Sequence, residues 1–331
     1  MRNKLTFLSA FAIAIIFTLT GSSVNAVWNG TPALGDKRAV ALFMFSDPRA
    51  TCGASAFLYS PRIVFTAAHN LFAGDDRKVE HTENILRKSL WVGYPGEKLT
   101  LSSKRIESEK IFYPKDYKGR DYNLGGNRIT RNNDFAVLVL KEPLPVDDKK
   151  VELLTPELHE SFIQNSEIVD SVGYGAQSAS ELNACPTDRT PMKYQSVVTS
   201  KTIDVGNQVW TATLNLKSAP GKPSGCDGDS GAGFYKEYPD HYLYLGATGA
   251  GAKDFHNCAS WQDGLTKEGI MGAWPVYLYL DLVKEAEDYV KANPYVAPVI
   301  KKSIICKKGK KKRFVTSDNP KCPKGFKLIA N

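Results

Sequence analysis

Three short segments hold residue types that together can perform acyl transfer. Phe65-Thr66-Ala67-Ala68-His69 runs an apolar strand into a histidine. Asn132-Asn133-Asp134 sets an aspartate at the mouth of the apolar run Phe135 to Leu140. Gly225-Cys226-Asp227-Gly228-Asp229-Ser230-Gly231 is a Gly-rich turn holding one serine. A serine hydroxyl is a weak nucleophile at neutral pH and needs a base beside it. A histidine can take that proton and later return it to a leaving amine, and a buried aspartate fixes the histidine tautomer and stabilises the imidazolium. Gly228 and Gly231 permit the bend that aims the amides of Gly228 and Ser230 at one spot, an oxyanion hole in which each donor is worth about 3–4 kcal/mol. Singly, each motif has a plainer reading: His69 as a satisfied core histidine, Asp134 as a turn residue, Ser230 as part of a Gly-rich turn. The order His, Asp, Ser along one β-rich chain is what points to chemistry.

The elements around these segments read mostly as strands. Ala39–Phe45, Ala56–Tyr59, Arg62–Phe65, Phe135–Leu140 and Tyr242–Leu245 are short apolar or alternating runs bounded by turn residues. Many short strands favour a barrel or sandwich over alternating βα units. Residues 71–131 are polar and rich in Gly and Lys, which reads as loop insertions around strands. Leu280–Asn293 is the clearest helix, with Leu282, Val283, Ala286, Tyr289 and Val290 on one face and Pro294 as the stop. No internal repeat is evident.

Composition narrows the class further. The chain has 331 residues, 42% of them hydrophobic, enough for a sizeable core and too apolar for disorder. The one long apolar run is Leu5–Thr20, after the basic Met1–Lys4; Val24-Asn25-Ala26 then puts small residues at −3 and −1 of a cut after Ala26. Residues 1–26 therefore read as a cleaved signal peptide rather than an anchor helix, and the mature chain as secreted. Six cysteines suit an oxidising compartment, and no zinc spacing is present. The net charge of +8 divides unevenly: +2 in residues 1–26 and +10 in 301–331, leaving −4 for 27–300. The body gives no support to specific nucleic-acid binding. Residues 294–300 read as a linker, and 301–331 as a basic Cys-containing segment whose halves Lys302–Cys306 and Lys312–Thr316 form a hairpin. Such a segment attracts a polyanion or a cell surface, or is simply a solubilising tail.

With the motifs Thr-Ala-Ala-His69, Asn-Asn-Asp134 and Gly-Asp-Ser230-Gly, together with Cys52-Gly-Ala-Ser55 and Val172-Gly-Tyr-Gly175, the chain resembles the chymotrypsin/trypsin family of serine endopeptidases over roughly residues 27–293. The resemblance implies an all-β fold of two antiparallel six-stranded β-barrels with a C-terminal α-helix. The first barrel would supply His69 and Asp134, and the second Ser230. It also implies a protein or peptide substrate, no cofactor, no catalytic metal and a monomer. The new N-terminus at Val27 would bury its amine against Asp229, with no separate zymogen step. The base of the primary pocket falls at Ser224, whose neutrality disfavours cleavage after Lys or Arg. Gly249, Ala250 and Gly251 would line the pocket, with a second wall at Trp274-Pro275. Gly249 lacks a hydroxyl that commonly supports the aspartate, and Thr248 is the candidate substitute. By the same resemblance Cys226 pairs with Cys258. Asn70 stands where the partner of Cys52 usually lies, so Cys52 is assigned to Cys185, which leaves Cys306 with Cys322. The rival readings are a non-catalytic scaffold of this fold working through its tail, and an esterase. The intact triad argues against the first, and the absence of a Gly-x-Ser-x-Gly elbow against the second.

Overall fold

The computed structural model describes residues 30–43, 53–73, 86–87, 89–117, 123–124, 127–128, 133–176, 188–205, 208–220, 222–226, 228–251, 269–298, 302–317 and 319–330. Twelve strands build two closed barrels. The first uses β1 (Ala39–Phe43), β2 (Gly53–Ser60), β3 (Ile63–Thr66), β4 (Trp91–Gly93), β5 (Arg105–Phe112) and β6 (Ala136–Leu140). The second uses β7 (Ile168–Gly173), β8 (Met192–Val205), β9 (Gln208–Ser218), β10 (Gly233–Glu237), β11 (His241–Gly251) and β12 (Gly269–Pro275). The neighbours run β6-β3-β2-β1-β4-β5 and back to β6 in the first, and β12-β9-β8-β7-β10-β11 and back to β12 in the second. All these pairings are antiparallel. Renumbered from its own first strand, the second order is identical to the first. The chain therefore holds a repeat of topology that its residues do not advertise.

The apolar runs have a specific cause. Alternate residues of β1, β3 and β6 serve different cores. Val40, Leu42, Val64, Leu138 and Leu140 pack within the first barrel alone. Phe65, Val137 and Val139 belong to a cluster shared with the second barrel. Buried on both faces, these strands have no polar side to show. The seam is aromatic: Phe57 lies 4.6 Å from Tyr244 and 5.5 Å from Tyr235, and Phe65 lies 5.0 Å from Tyr244, ring centre to ring centre. Such tilted pairs add to the area they bury.

Two barrel strands, β4 and β5, fall inside the polar stretch 71–131. In Arg105–Phe112, Ile106 and Ser108 are buried while Glu109 and Lys110 face water. Helix α1 (Pro156–Gln164) has no counterpart in the sequence reading, although Thr155 caps it by accepting from Leu158 N at 3.2 Å and Pro156 stands at its first turn. Helix α2 (Leu280–Ala292) forms as the periodicity predicts, burying Val283 and Ala286. It returns from the second barrel to the first, where Arg62 donates to Asn293 O at 2.6 Å and Tyr59 to Glu287 at 2.7 Å.

The C-terminal segment is a three-stranded sheet of β13 (Lys302–Lys308), β14 (Lys311–Ser317) and β15 (Lys327–Ala330), with β13 in the middle. The predicted hairpin is there, and the third strand is an addition. Cys306 is bonded to Cys322, with Cα atoms 5.6 Å apart. The bond ties the central strand to the connection before β15 rather than joining the hairpin's own strands.

Candidate active site

Strand register brings His69 and Asp134 together. Ala136 of β6 lies opposite Thr66 of β3, so the aspartate just before β6 and the histidine just after β3 share one end of a paired ladder. Asn133 adopts φ +65°, a left-handed turn that asparagine tolerates better than most residues, and it delivers Asp134 into the barrel end. The carboxylate is wholly buried. Its Oδ1 accepts from His69 N and its Oδ2 pairs with His69 Nδ1, both at 2.8 Å. A carboxylate can only accept, so the geometry assigns the proton to Nδ1 and leaves Nε2 as the basic nitrogen. Phe135 stacks on Tyr279 at 4.8 Å beside this pair. Burial, with the Asp134 charge adding to it, pushes the Tyr279 hydroxyl far above its ordinary range.

Ser230 comes from the connection between β9 and β10, and this loop is pinned to both barrels. Its carbonyl accepts from Ser55 N of β2 at 3.0 Å and from Asn70 Nδ2 at 3.1 Å. Gly231 N donates to Thr248 O at 2.7 Å. The buried Ser55 hydroxyl donates to Gly228 O at 2.9 Å and accepts from Tyr174 N at 2.8 Å. Gly231 has φ +85°, and a Cβ there would meet Thr66 Oγ1 at 2.1 Å and Ser55 O at 2.4 Å. No side chain fits where this turn touches the first barrel. Among the described residues, neither Gly228 N nor Ser230 N has an acceptor, and no hydrogen bond joins Ser230 Oγ to His69. Such bonds are often long in a free enzyme and tighten with substrate.

Asp229 is wholly buried under the same turn. Its oxygens accept from Gly175 N and Cys226 N, each at 2.8 Å. The Val172-Gly-Tyr-Gly175 motif has its explanation here. A Cβ on Gly173 would stand 2.0 Å from Asp229 Oδ1, and one on Gly175 would stand 2.7 Å away. The carboxylate occupies the space both glycines leave open. Buried Arg189 braces the segment from the other side, donating from Nη1 to Tyr174 O at 2.7 Å. Val27, the expected partner of Asp229, lies outside the described residues.

The pocket expectations fare unevenly. Ser224 is buried, with no hydrogen-bond partner for Oγ among the described residues. Gly269 lies against it, since a Cβ there would come 2.6 Å from Ser224 Cβ, and Met271 and Tyr194 lie against the neighbouring Gly225, each 2.9 Å from a Cβ built on it. Pro275 is not the second wall: it stands at the opposite end of β12, paired with Gly246. Counting residues placed the wall one strand-length too far along. Gly249, Ala250 and Gly251 end β11; Ala250 and Gly251 pair with Gly272 and Met271 of β12, and Gly249 sits at the bulge between Thr248 and Ala250. Thr248 does not replace the missing hydroxyl, because its Oγ1 donates to Ala232 O at 2.9 Å.

Cys226 is disulfide-bonded, but Cys258 lies outside the described residues, as do Cys52 and Cys185. Asn70, a departure from the family pattern in the sequence, bridges the two barrels at the site. Its Nδ2 donates both to Thr66 Oγ1 and to Ser230 O at 3.1 Å, joining the residue after the histidine directly to the serine. Only its place beside His69 could have flagged it. A family model described as Trypsin matches residues 27–254, and none of the curated proteins matches the chain.

Proposed function

The chain belongs to the trypsin family of serine peptidases, and from that premise we propose that it is a secreted endopeptidase working through Ser230, His69 and Asp134. Ser230 Oγ attacks the scissile carbonyl carbon while His69 Nε2 takes its proton. The carbonyl π electrons move onto oxygen, where the N–H groups of Gly228 and Ser230 hold the negative charge. Collapse expels the amine, protonated by His69, and leaves an acyl-enzyme. A water, deprotonated by the same nitrogen, repeats the sequence and frees the acid. Asp134 keeps Nδ1–H oriented throughout.

The observation carrying this reading is the pair of 2.8 Å contacts between His69 and Asp134, with Asn70, the next residue, holding the Ser230 carbonyl. The neutral Ser224 supports a preference other than Lys or Arg before the cleaved bond. Signal cleavage after Ala26 would free the Val27 amine, and a buried carboxylate such as Asp229 is tolerable only when its hydrogen bonds and charge are met. Export and folding then suffice for activation. The enzyme acts as a monomer, and its basic segment 301–331 makes an anionic contact. The test is hydrolysis of a mixed peptide library by the exported protein, with Ser230→Ala as control. Cleavage absent from the control and spread over non-basic residues is expected. Cleavage only after Lys and Arg would overturn the specificity, and none by a correctly processed protein would overturn the activity.

A further inference from the structure

Residues 301–331 carry ten Lys and one Arg against a single acid. The register of the sheet organises part of that charge. Lys307 on the central strand lies opposite Lys312 on one side and Lys327 on the other. Residues directly opposite in an antiparallel ladder share a face, and neighbouring strands lie about 4.8 Å apart. Three ammonium groups thus form one row across the sheet. Like charges in such positions destabilise a sheet, so the row costs this small unit stability unless an anion meets it. The next row on the same face holds Phe314 and Ile305. Phe314 is 75% exposed, an aromatic ring standing in water beside three cations.

We propose that this face docks on an anionic lipid bilayer, with the lysine row over headgroup phosphates and Phe314 at the acyl boundary. This narrows the anionic contact assigned above to the segment. A hydrophilic polyanion would satisfy the lysines and leave Phe314 unexplained, whereas a bilayer offers both phases. The test is co-sedimentation of the exported chain beginning at Val27 with vesicles of phosphatidylcholine alone or mixed with phosphatidylglycerol. Only the mixed vesicles should carry the protein down. Lys307→Gln/Lys312→Gln/Lys327→Gln should weaken that binding by roughly a hundredfold, at about 1 kcal/mol per lysine. The charge-matched Lys308→Gln/Lys321→Gln/Lys324→Gln should weaken it less, and Phe314→Ser should abolish the salt-resistant part. Equal loss in the two triple variants, equal binding to neutral vesicles, or capture by soluble polyphosphate without vesicle binding would each overturn the proposal. Absence of free thiol by mass shows that each variant keeps its Cys306–Cys322 bond.

A separate observation at the cleft concerns position 249. A Cβ there would lie 2.8 Å from Trp274 Nε1 and 3.2 Å from Asp134 Oδ2. The indole nitrogen and the carboxylate therefore flank the space that a side chain at 249 would fill, and Trp274 is itself buried. A buried carboxylate gains from every donor that reaches it. We infer that the Trp274 indole N–H supports Asp134, doing from β12 what a hydroxyl at 249 does elsewhere; it is a positioning residue, and the inference rests on the triad reading. Trp274→Phe keeps an aromatic ring and removes the donor. It should lower kcat roughly 10- to 100-fold with KM little changed, the scale of a hydrogen bond to a charged group. Gly249→Ser added to it should recover much of kcat. Unchanged kcat in the single variant, or a double variant no better than the single, overturns the assignment. Failure of wild-type Ser230 to label with a fluorophosphonate would instead overturn the triad reading beneath it.

Discussion

The two barrels share one strand order and contribute to the cleft by different means. In the first, His69 and Asp134 stand at the ends of β3 and β6, and the ladder register that builds the barrel also sets their contact. In the second, Ser230 stands on a connection whose shape depends on single hydrogen bonds to Ser55, Asn70 and Thr248 and on the buried carboxylate of Asp229. One half of the site is a by-product of the core. The other half is held by polar contacts that the core does not require. Damage to the core of the first barrel should therefore reach activity through folding, and damage to the polar contacts that hold the serine loop should reach activity alone.

Substitutions can separate these cases. Asp134→Asn, which keeps size and removes charge, should lower kcat by about 10⁴ by presenting the wrong tautomer of His69; stopped-time peptide hydrolysis reads it. Asp229→Asn cannot accept from both Gly175 N and Cys226 N, so the oxyanion donors drift. A fall in kcat of roughly 10²–10³ is expected, with a far smaller change in denaturant midpoint. If stability instead falls as far as activity does, the serine loop is part of the core and the contrast fails. Leu138→Ala is the converse case, wholly inside the first barrel. It should cost about 2–5 kcal/mol in urea unfolding and leave the kcat of the folded fraction unchanged. Asn70→Ala cuts one of the side-chain links between the two halves of the site, beside that of Ser55 to Gly228 O, and should lower kcat by roughly tenfold, the worth of one hydrogen bond, with little change in unfolding midpoint.

An effect confined to a narrow pH window belongs to His159 on α1, buried against β8. Its Nδ1 lies 3.1 Å from the Tyr277 hydroxyl, and its Nε2 has no partner among the described residues. Burial lowers its pKa from 6.5 to about 4, with Lys201 adding to the effect. Between those values the unfolded chain binds a proton that the folded chain refuses. Stability should therefore decline as pH falls from 6.5 toward 4 and level off below, by at most about 3 kcal/mol from this group. His159→Gln should flatten that limb of the unfolding-versus-pH curve.

Much of the first barrel was legible because its strands bury both faces and read as apolar runs, and because His69 and Asp134 sit at their ends. β5 was hidden, since Arg105–Phe112 alternates buried residues with charged ones and resembles polar loop. β8 and β9 were hidden for a related reason: Met192–Val205 and Gln208–Ser218 are long, mixed and hydroxyl-rich. The shared strand order is invisible in residues because topology constrains packing volume, not identity. At the site, Gly-Asp-Ser-Gly and Gly-Tyr-Gly announced themselves through glycines that only close contact requires. Asn70 and Trp274 did not, because each acts on a residue more than a hundred positions away along the chain. Pro275 misled for the same reason, since spacing along one strand does not say which end faces Ser224.

The central claim is that both halves assemble into one reactive serine. Labelling the mature protein with a fluorophosphonate, followed by intact mass and peptide mapping with Ser230→Ala as control, tests it most directly. The account predicts one adduct, on Ser230, in a protein whose first residue is Val27. A folded protein with that N-terminus and no adduct would contradict it.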